Sequence, residues 1–304
     1  MSEWTQMMNP EKIKLGIAPI GWTNDDMPDL GAENTFEQCV SEMALAGYAG
    51  CEIGNKYPPD RATLKHALDV RGLTVCNAWF SSLLLSQPYA VTIEAFRAHA
   101  EKLRFLGARI IGVSEQGNSI QGRLDRSILD GKPVYNDEQW DLVVRGFNEM
   151  GRIARDLGMF LTVHHHMGTG VQTGAEIDRL MATTDPDLVW LLFDTGHLAF
   201  AGVDLMEILS RYGSRIRHVH LKDLRRDVFQ RVAAEKMSFL DAVRAGVFTV
   251  PGDGDLDFAP VFAALARLDY TGWMVVEAEQ DPAMANPFEY AVMARAFIRQ
   301  NTGL

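Results

Sequence analysis

Residues Leu188–His197 read LVWLLFDTGH. Six apolar residues, Leu188 to Phe193, run directly into an acid, a hydroxyl, a glycine and a histidine. An unbroken apolar run suits a parallel strand covered on both faces, where neither side can be polar. The polar cluster then falls at the strand's C-terminal end, where α/β barrels and open α/β sheets gather their chemistry. On that reading Asp194 and His197 point into one mouth, and Gly196 lets the backbone turn sharply. An ordinary strand end, with the aspartate capping the next helix, would use the same residues. What separates the two readings is whether other strands end alike.

They do. Working outward, Lys12–Ala18, Gly50–Ile53, Leu73–Phe80, Ala108–Ser114, Met159–Val163, Ile216–Lys222 and Trp273–Ala278 are the remaining strands. Helical periodicity follows at Thr35–Ala46, Asp60–Arg71, Val91–Leu106, Asp137–Leu157, Ala175–Thr183, Asp204–Tyr212, Phe258–Leu268 and Pro287–Gln300, mostly stopped by glycine. Eight strand–helix pairs over residues 1–304 predict a single α/β domain, a (β/α)8 TIM barrel. A doubly wound sheet competes, but no GxGxxG follows the first strand. Ser119–Asn136 reads as a long polar loop of the functional kind. Arg225–Val250 exceeds the alternation; it is predicted helical over Val228–Ala245, and could be a lid or a contact in a homo-oligomer.

Composition bounds the function. The chain is 47% hydrophobic and 23% charged, enough for a large core, and its formal net charge is −11. That balance argues against nucleic acid or an anionic membrane as partner, because both need clustered cations. Three cysteines, Cys39, Cys51 and Cys76, make no paired framework, as expected of a reducing cytoplasm. The polar opening MSEWTQMMNPEK is not a signal peptide, and no apolar run reaches the roughly 20 residues of a membrane helix.

Consecutive strand ends supply metal-type donors: His164 or His166, then Asp194, then His218 or His220, then Glu277 or Glu279. Two imidazoles with two carboxylates suit Mn²⁺, Co²⁺, Zn²⁺ or Fe²⁺ better than Ca²⁺ or Mg²⁺. Glu52, Lys56, Asn77, Trp79 and Glu115 fall on the other half of the mouth, as polar groups and an aromatic wall for a polyol. Cys51 and Cys76 read as small core residues.

The stretches GIAPIGWTNDDMPDLG, GCEIGNKYP, HHHMGTG, FDTGH, HVHLKD, VPGDGDLDF and GWMVVEAEQD resemble the myo-inosose-2 dehydratases of inositol catabolism. These belong to a xylose isomerase-like group of TIM barrels, and the resemblance runs from about Lys14 to Asp281. It implies loss of water from a cyclic polyol ketone, 2-keto-myo-inositol (scyllo-inosose), to give a trihydroxycyclohexane-1,2-dione. It also implies Mn²⁺ or Co²⁺ together with reduced glutathione. Carried over by position, the metal ligands are His164, Asp194, His220 and Glu277. The group more often has glutamate where this chain has His164, which leaves His166 as the alternative ligand there. His197 matches a residue that touches substrate hydroxyls or sits behind the metal, and Arg226 stands where some relatives bind substrate. For proton transfer His166 is preferred, with Lys222 and Glu52 as alternatives. A metal-dependent sugar isomerase or epimerase would share this metal set.

Overall fold

The computed structural model describes residues 8–304; the opening Met1–Met7, part of the stretch read as no signal peptide, lies outside them. The parallel strands are β1 (Ile13–Ile17), β2 (Gly50–Glu52), β3 (Thr74–Asn77), β4 (Trp79–Ser82), β5 (Ile110–Glu115), β6 (Phe160–His164), β7 (Val189–Asp194) and β8 (Ile216–Leu221). Two short strands, β9 (Asp223–Leu224) and β10 (Phe248–Thr249), pair antiparallel with each other. The last, β11 (Gly272–Val276), lies between β1 and β8. The helices are α1 (Phe36–Leu45), α2 (Arg61–Asp69), α3 (Tyr89–Phe105), α4 (Asp137–Asp156), α5 (Gly174–Thr183), α6 (Thr195–Phe200), α7 (Leu205–Tyr212), α8 (Arg226–Glu235), α9 (Phe239–Arg244), α10 (Phe258–Arg267) and α11 (Pro287–Thr302). None is long and apolar enough to cross a membrane.

The sheet runs β3-β2-β1-β11-β8-β7-β6-β5-β4. Its two ends, β3 and β4, are one continuous stretch of chain split at Ala78, so the sheet closes into a TIM barrel. The split differs from the unbroken strand expected over Leu73–Phe80. Asn77 pairs with Glu52 on one side, whereas Trp79 pairs with Gly112 on the other, so the chain changes partner within two residues. The Asn77 side chain bridges the seam, its Oδ1 accepting the Gly112 N–H at 2.6 Å. Gly112 has no side chain to hold that amide away.

The run Val189–Phe193 is almost wholly buried, as a strand walled by the barrel interior and the outer helices must be. The capping reading of its end holds, and the mouth reading holds for Asp194 as a donor but not for His197, which does not line the cavity at that mouth. Asp194 Oδ1 accepts the His197 N–H at 2.8 Å and caps α6, which leaves Oδ2 for the mouth. Gly196 does not supply the sharp turn expected of it. A Cβ there would come within 2.4 Å of Lys222 Cγ, so its role is to make room.

The excursion is also not one helix. Lys236 adopts a left-handed conformation, with φ of 54°, and ends α8. Ser238 then caps α9 by accepting from the Asp241 N–H. Between them, α8, α9 and β10 bury Val232, Phe239, Val243 and Phe248 against Met27 and Leu30 of the first loop, Ile128 of the second and Met167. Arg244 on Asp29 at 2.8 Å and the Ile128 N–H on Met237 O at 3.0 Å tie the three segments together. They form a cap on the C-terminal face of the barrel.

Candidate metal centre and its cavity

A cavity of about 140 Å³ opens on the C-terminal face. Four donors from consecutive barrel strands or the residues just after them converge there: His164, His220 and Glu277, which line the cavity, and Asp194, fully buried against them. Their ligand atoms all lie within 4.8 Å of one another. Asp194 Oδ2 is 3.3 Å from His164 Nε2 and 3.4 Å from His220 Nδ1, and Glu277 Oε2 contacts His220 Nδ1 directly. Both atoms of that last contact are buried without an ordinary hydrogen-bond partner. Burial alone would depress the His220 imidazole, but the carboxylates of Glu277 and Glu52 outweigh it and push it well above the usual histidine range. Negative charge is in excess here, and a proton on His220 answers it when nothing else does. The donor set is that of a borderline transition metal. These residues can hold a divalent cation.

Beside them on the cavity wall stands Glu52. Its Oε1 accepts from His220 Nε2 at 2.9 Å, His218 Nε2 at 3.1 Å and Asn77 Nδ2 at 2.8 Å. A proton kept on Nε2 leaves the Nδ1 lone pair of His220 directed at the convergence point. His165, the middle of the three histidines, instead accepts the Asp194 backbone N–H at 3.3 Å.

Beside the four donors, the Lys222 side chain is fully buried. Its Nζ lies 2.7 Å from Glu279 Oε2, 3.0 Å from Glu277 Oε1, 3.0 Å from His197 Nε2 and 3.6 Å from Asp194 Oδ2. Burial disfavours the ammonium, but the charges of Asp194, Glu277 and Glu279 overcome it and raise its pKa. His166 donates from Nδ1 to Met167 O at 2.9 Å, so Nε2 carries the lone pair and faces Glu279 Oε1 at 4.0 Å. Burial first, then the neighbouring His164 and Lys222, hold this imidazole well below the usual histidine range, hence neutral. Glu279 is the opposite case: burial pushes its carboxyl up to about 7, with Lys222 pulling the other way.

Of the residues expected on the other half of the mouth, Glu52, Asn77 and Trp79 line the cavity. Trp79 stands edge-on to the rings of His164 and His166, at 5.4 and 5.5 Å. Both ends of the Asn77 amide are already engaged within the protein. Lys56, His197 and Arg226 do not line it. Lys56 Nζ donates to the carbonyls of Gly31, Ala32 and Asn34 and staples the first loop. The His197 ring packs on that of His166 at 3.9 Å, with Lys222 Nζ at its Nε2 and Phe239 and Phe248 against it. Arg226 opens α8 on an exposed face. Glu115 is also absent from the lining. It turns inward to accept from Ser82 Oγ and the N–H groups of Leu84, Leu85 and Gly117.

The cavity gains Ile20, Asp25, Asp26 and Gln121 from the two loops. The paired aspartates sit inside the GWTNDDMPDLG stretch, whose two adjacent acids were the available signal.

The xylose isomerase-like TIM barrel model matches residues 40–301. An inosose dehydratase of Geobacillus thermodenitrificans is 61% identical over 98% of this chain and 100% of its own. One from Clostridium beijerinckii is 60% identical with the same coverage. Among solved structures, the D-allulose 3-epimerase from Methylomonas sp. in complex with D-allulose superposes with a TM-score of 0.70 at 21% identity, covering 97% of this chain and 99% of that one. The chain belongs to the xylose isomerase-like TIM barrel family and, within it, to the inosose dehydratases.

Proposed function

We propose that this barrel, acting as one domain in the cytoplasm, removes water from 2-keto-myo-inositol to give a trihydroxycyclohexane-1,2-dione, with one Mn²⁺ or Co²⁺ held by His164, Asp194, His220 and Glu277. The observation that carries the reading is the convergence of those four donors on a cavity that two further proton carriers, His166 and Glu279, also face. The identity to inosose dehydratases supports the substrate. A divalent ion held by these four residues would supply Lewis acidity.

The chain's own residues then divide the proton work. His166, neutral and with Nε2 free, takes the proton from the carbon beside the ketone. Glu279, a carboxyl held near neutrality, gives a proton to the hydroxyl leaving the next carbon, because hydroxide is a poor leaving group unless protonated. Water departs and the resulting enol tautomerises to the dione. Lys222 cannot be the base while the carboxylates of Asp194 and Glu277 hold it as an ammonium. Glu52 is engaged by His218, His220 and Asn77, and so orients His220 and does not transfer protons. Trp79 and the cap exclude bulk water from the floor, which strengthens each electrostatic contact in it.

Purified protein stripped with a chelator and reloaded with Mn²⁺ or Co²⁺ should convert scyllo-inosose to a dione with one water released per substrate. Loss of the dione signal on stripping and its return on reloading support the reading. Metal-independent turnover, or an epimerised ketone as the product, would overturn it.

Glu52→Gln is expected to weaken Mn²⁺ binding about 10- to 100-fold while leaving the barrel folded, as removal of a carboxylate behind a ligating imidazole does. Titration calorimetry checks this, and wild-type affinity would take the orienting role from Glu52.

A further inference from the structure

The geometry points to the Lys222 ammonium as a built-in second cation: it occupies the place a second divalent ion would take between Asp194, Glu277, Glu279 and His197, and so limits the centre to one metal per chain. The inference rests on the reading that His164, Asp194, His220 and Glu277 hold the first ion.

The shell around Nζ is a metal-type shell, three carboxylate oxygens and one imidazole nitrogen at 2.7 to 3.6 Å. Two residues are shared between the two cation positions. Glu277 turns Oε2 toward His220 and Oε1 toward Lys222. Asp194 Oδ2 lies 3.4 Å from His220 Nδ1 and 3.6 Å from Lys222 Nζ. Carboxylates that bridge in this manner are what two-metal centres use to hold ions about 3.5–4 Å apart.

The surrounding chain is built for that ammonium. Gly196 leaves space for the lysine stem, since a Cβ there would meet Lys222 Cγ, Cδ and Cβ at 2.4, 2.6 and 2.8 Å. Thr195 Oγ1 accepts the Lys222 N–H at 2.9 Å and donates to its carbonyl at 2.6 Å. The Phe248 ring faces Nζ at 4.8 Å, a favourable surface for a cation. A lysine ammonium is a compact point charge, as this shell requires.

The test is metal stoichiometry, read by elemental analysis and by the electron paramagnetic resonance of bound Mn²⁺. Wild type should saturate at one Mn²⁺ per chain with the spectrum of an isolated ion. Lys222→Ala should take up two, with the spectrum of a spin-coupled pair. If the metal-free variant does not fold, it is refolded across a Mn²⁺ series, and folding that saturates at two equivalents gives the same answer. One ion in folded Lys222→Ala, no folding at any Mn²⁺ concentration, or two ions in wild type each overturn the inference. A wild type that retains none removes the metal centre itself, which separates failure of that reading from failure of this one.

Discussion

Asp194→Asn should remove both tight metal retention and dehydration. The asparagine Oδ1 can still accept the His197 N–H that caps α6, so the helix and the fold survive. What is lost is the charge on the oxygen that lies between His164, His220 and Lys222. A Lewis-acidic ion supplies several kcal/mol of transition-state stabilisation, so the expected fall in kcat is on the order of 1,000-fold or more. Glu277→Gln should behave alike, because its two oxygens face both cations. Elemental analysis after dialysis, with circular dichroism as the fold control, checks the pair. Full metal occupancy at the wild-type rate in either variant would refute the ligand assignment.

The second large effect separates the two proton carriers. His166→Gln should leave metal stoichiometry unchanged and lower both solvent-hydrogen exchange beside the ketone and dehydration, by about 100- to 10,000-fold. Glu279→Gln should retain exchange and lose dehydration, because it keeps the base and removes the acid. Nuclear magnetic resonance in deuterated water reads exchange and product together. If His166→Gln keeps exchange and loses dehydration, the roles are reversed. If it dehydrates at the wild-type rate, His166 carries no proton.

The barrel was legible because its signals are local. Apolar strands such as Val189–Phe193, glycines closing helices, and donors at successive strand ends all follow from period and position along the chain. The four convergent donors were legible for the same reason, since a barrel brings successive strand ends to one mouth. Allegiance of polar side chains was not. Lys56 lies at the end of β2, as expected of a mouth residue, yet three carbonyls of the first loop claim its ammonium. His197 is next to the site in sequence, but its ring packs against His166 and Lys222 and does not line the cavity. Arg226 belongs to a helix whose buried face is set by Val232 and whose first residue is left exposed. Glu279 was one of two carboxylates in EAEQ, and period-2 alternation puts both on one side. Only the partners decide: Glu277 meets His220, and Glu279 meets Lys222 and His166. The break at Ala78 depends on the registers of β2 and β5, which no local pattern records.

The most direct measurement gives wild-type protein, loaded with Mn²⁺, scyllo-inosose in deuterated water and follows three quantities together: deuterium at the carbon beside the ketone, the dione, and remaining inosose. The dehydratase reading predicts that inosose disappears as dione appears, in equal amounts and only with metal bound. Deuterium entering recovered inosose or an epimer of it, with no dione formed from any inosose, would contradict that reading and leave a metal-dependent isomerase or epimerase in its place.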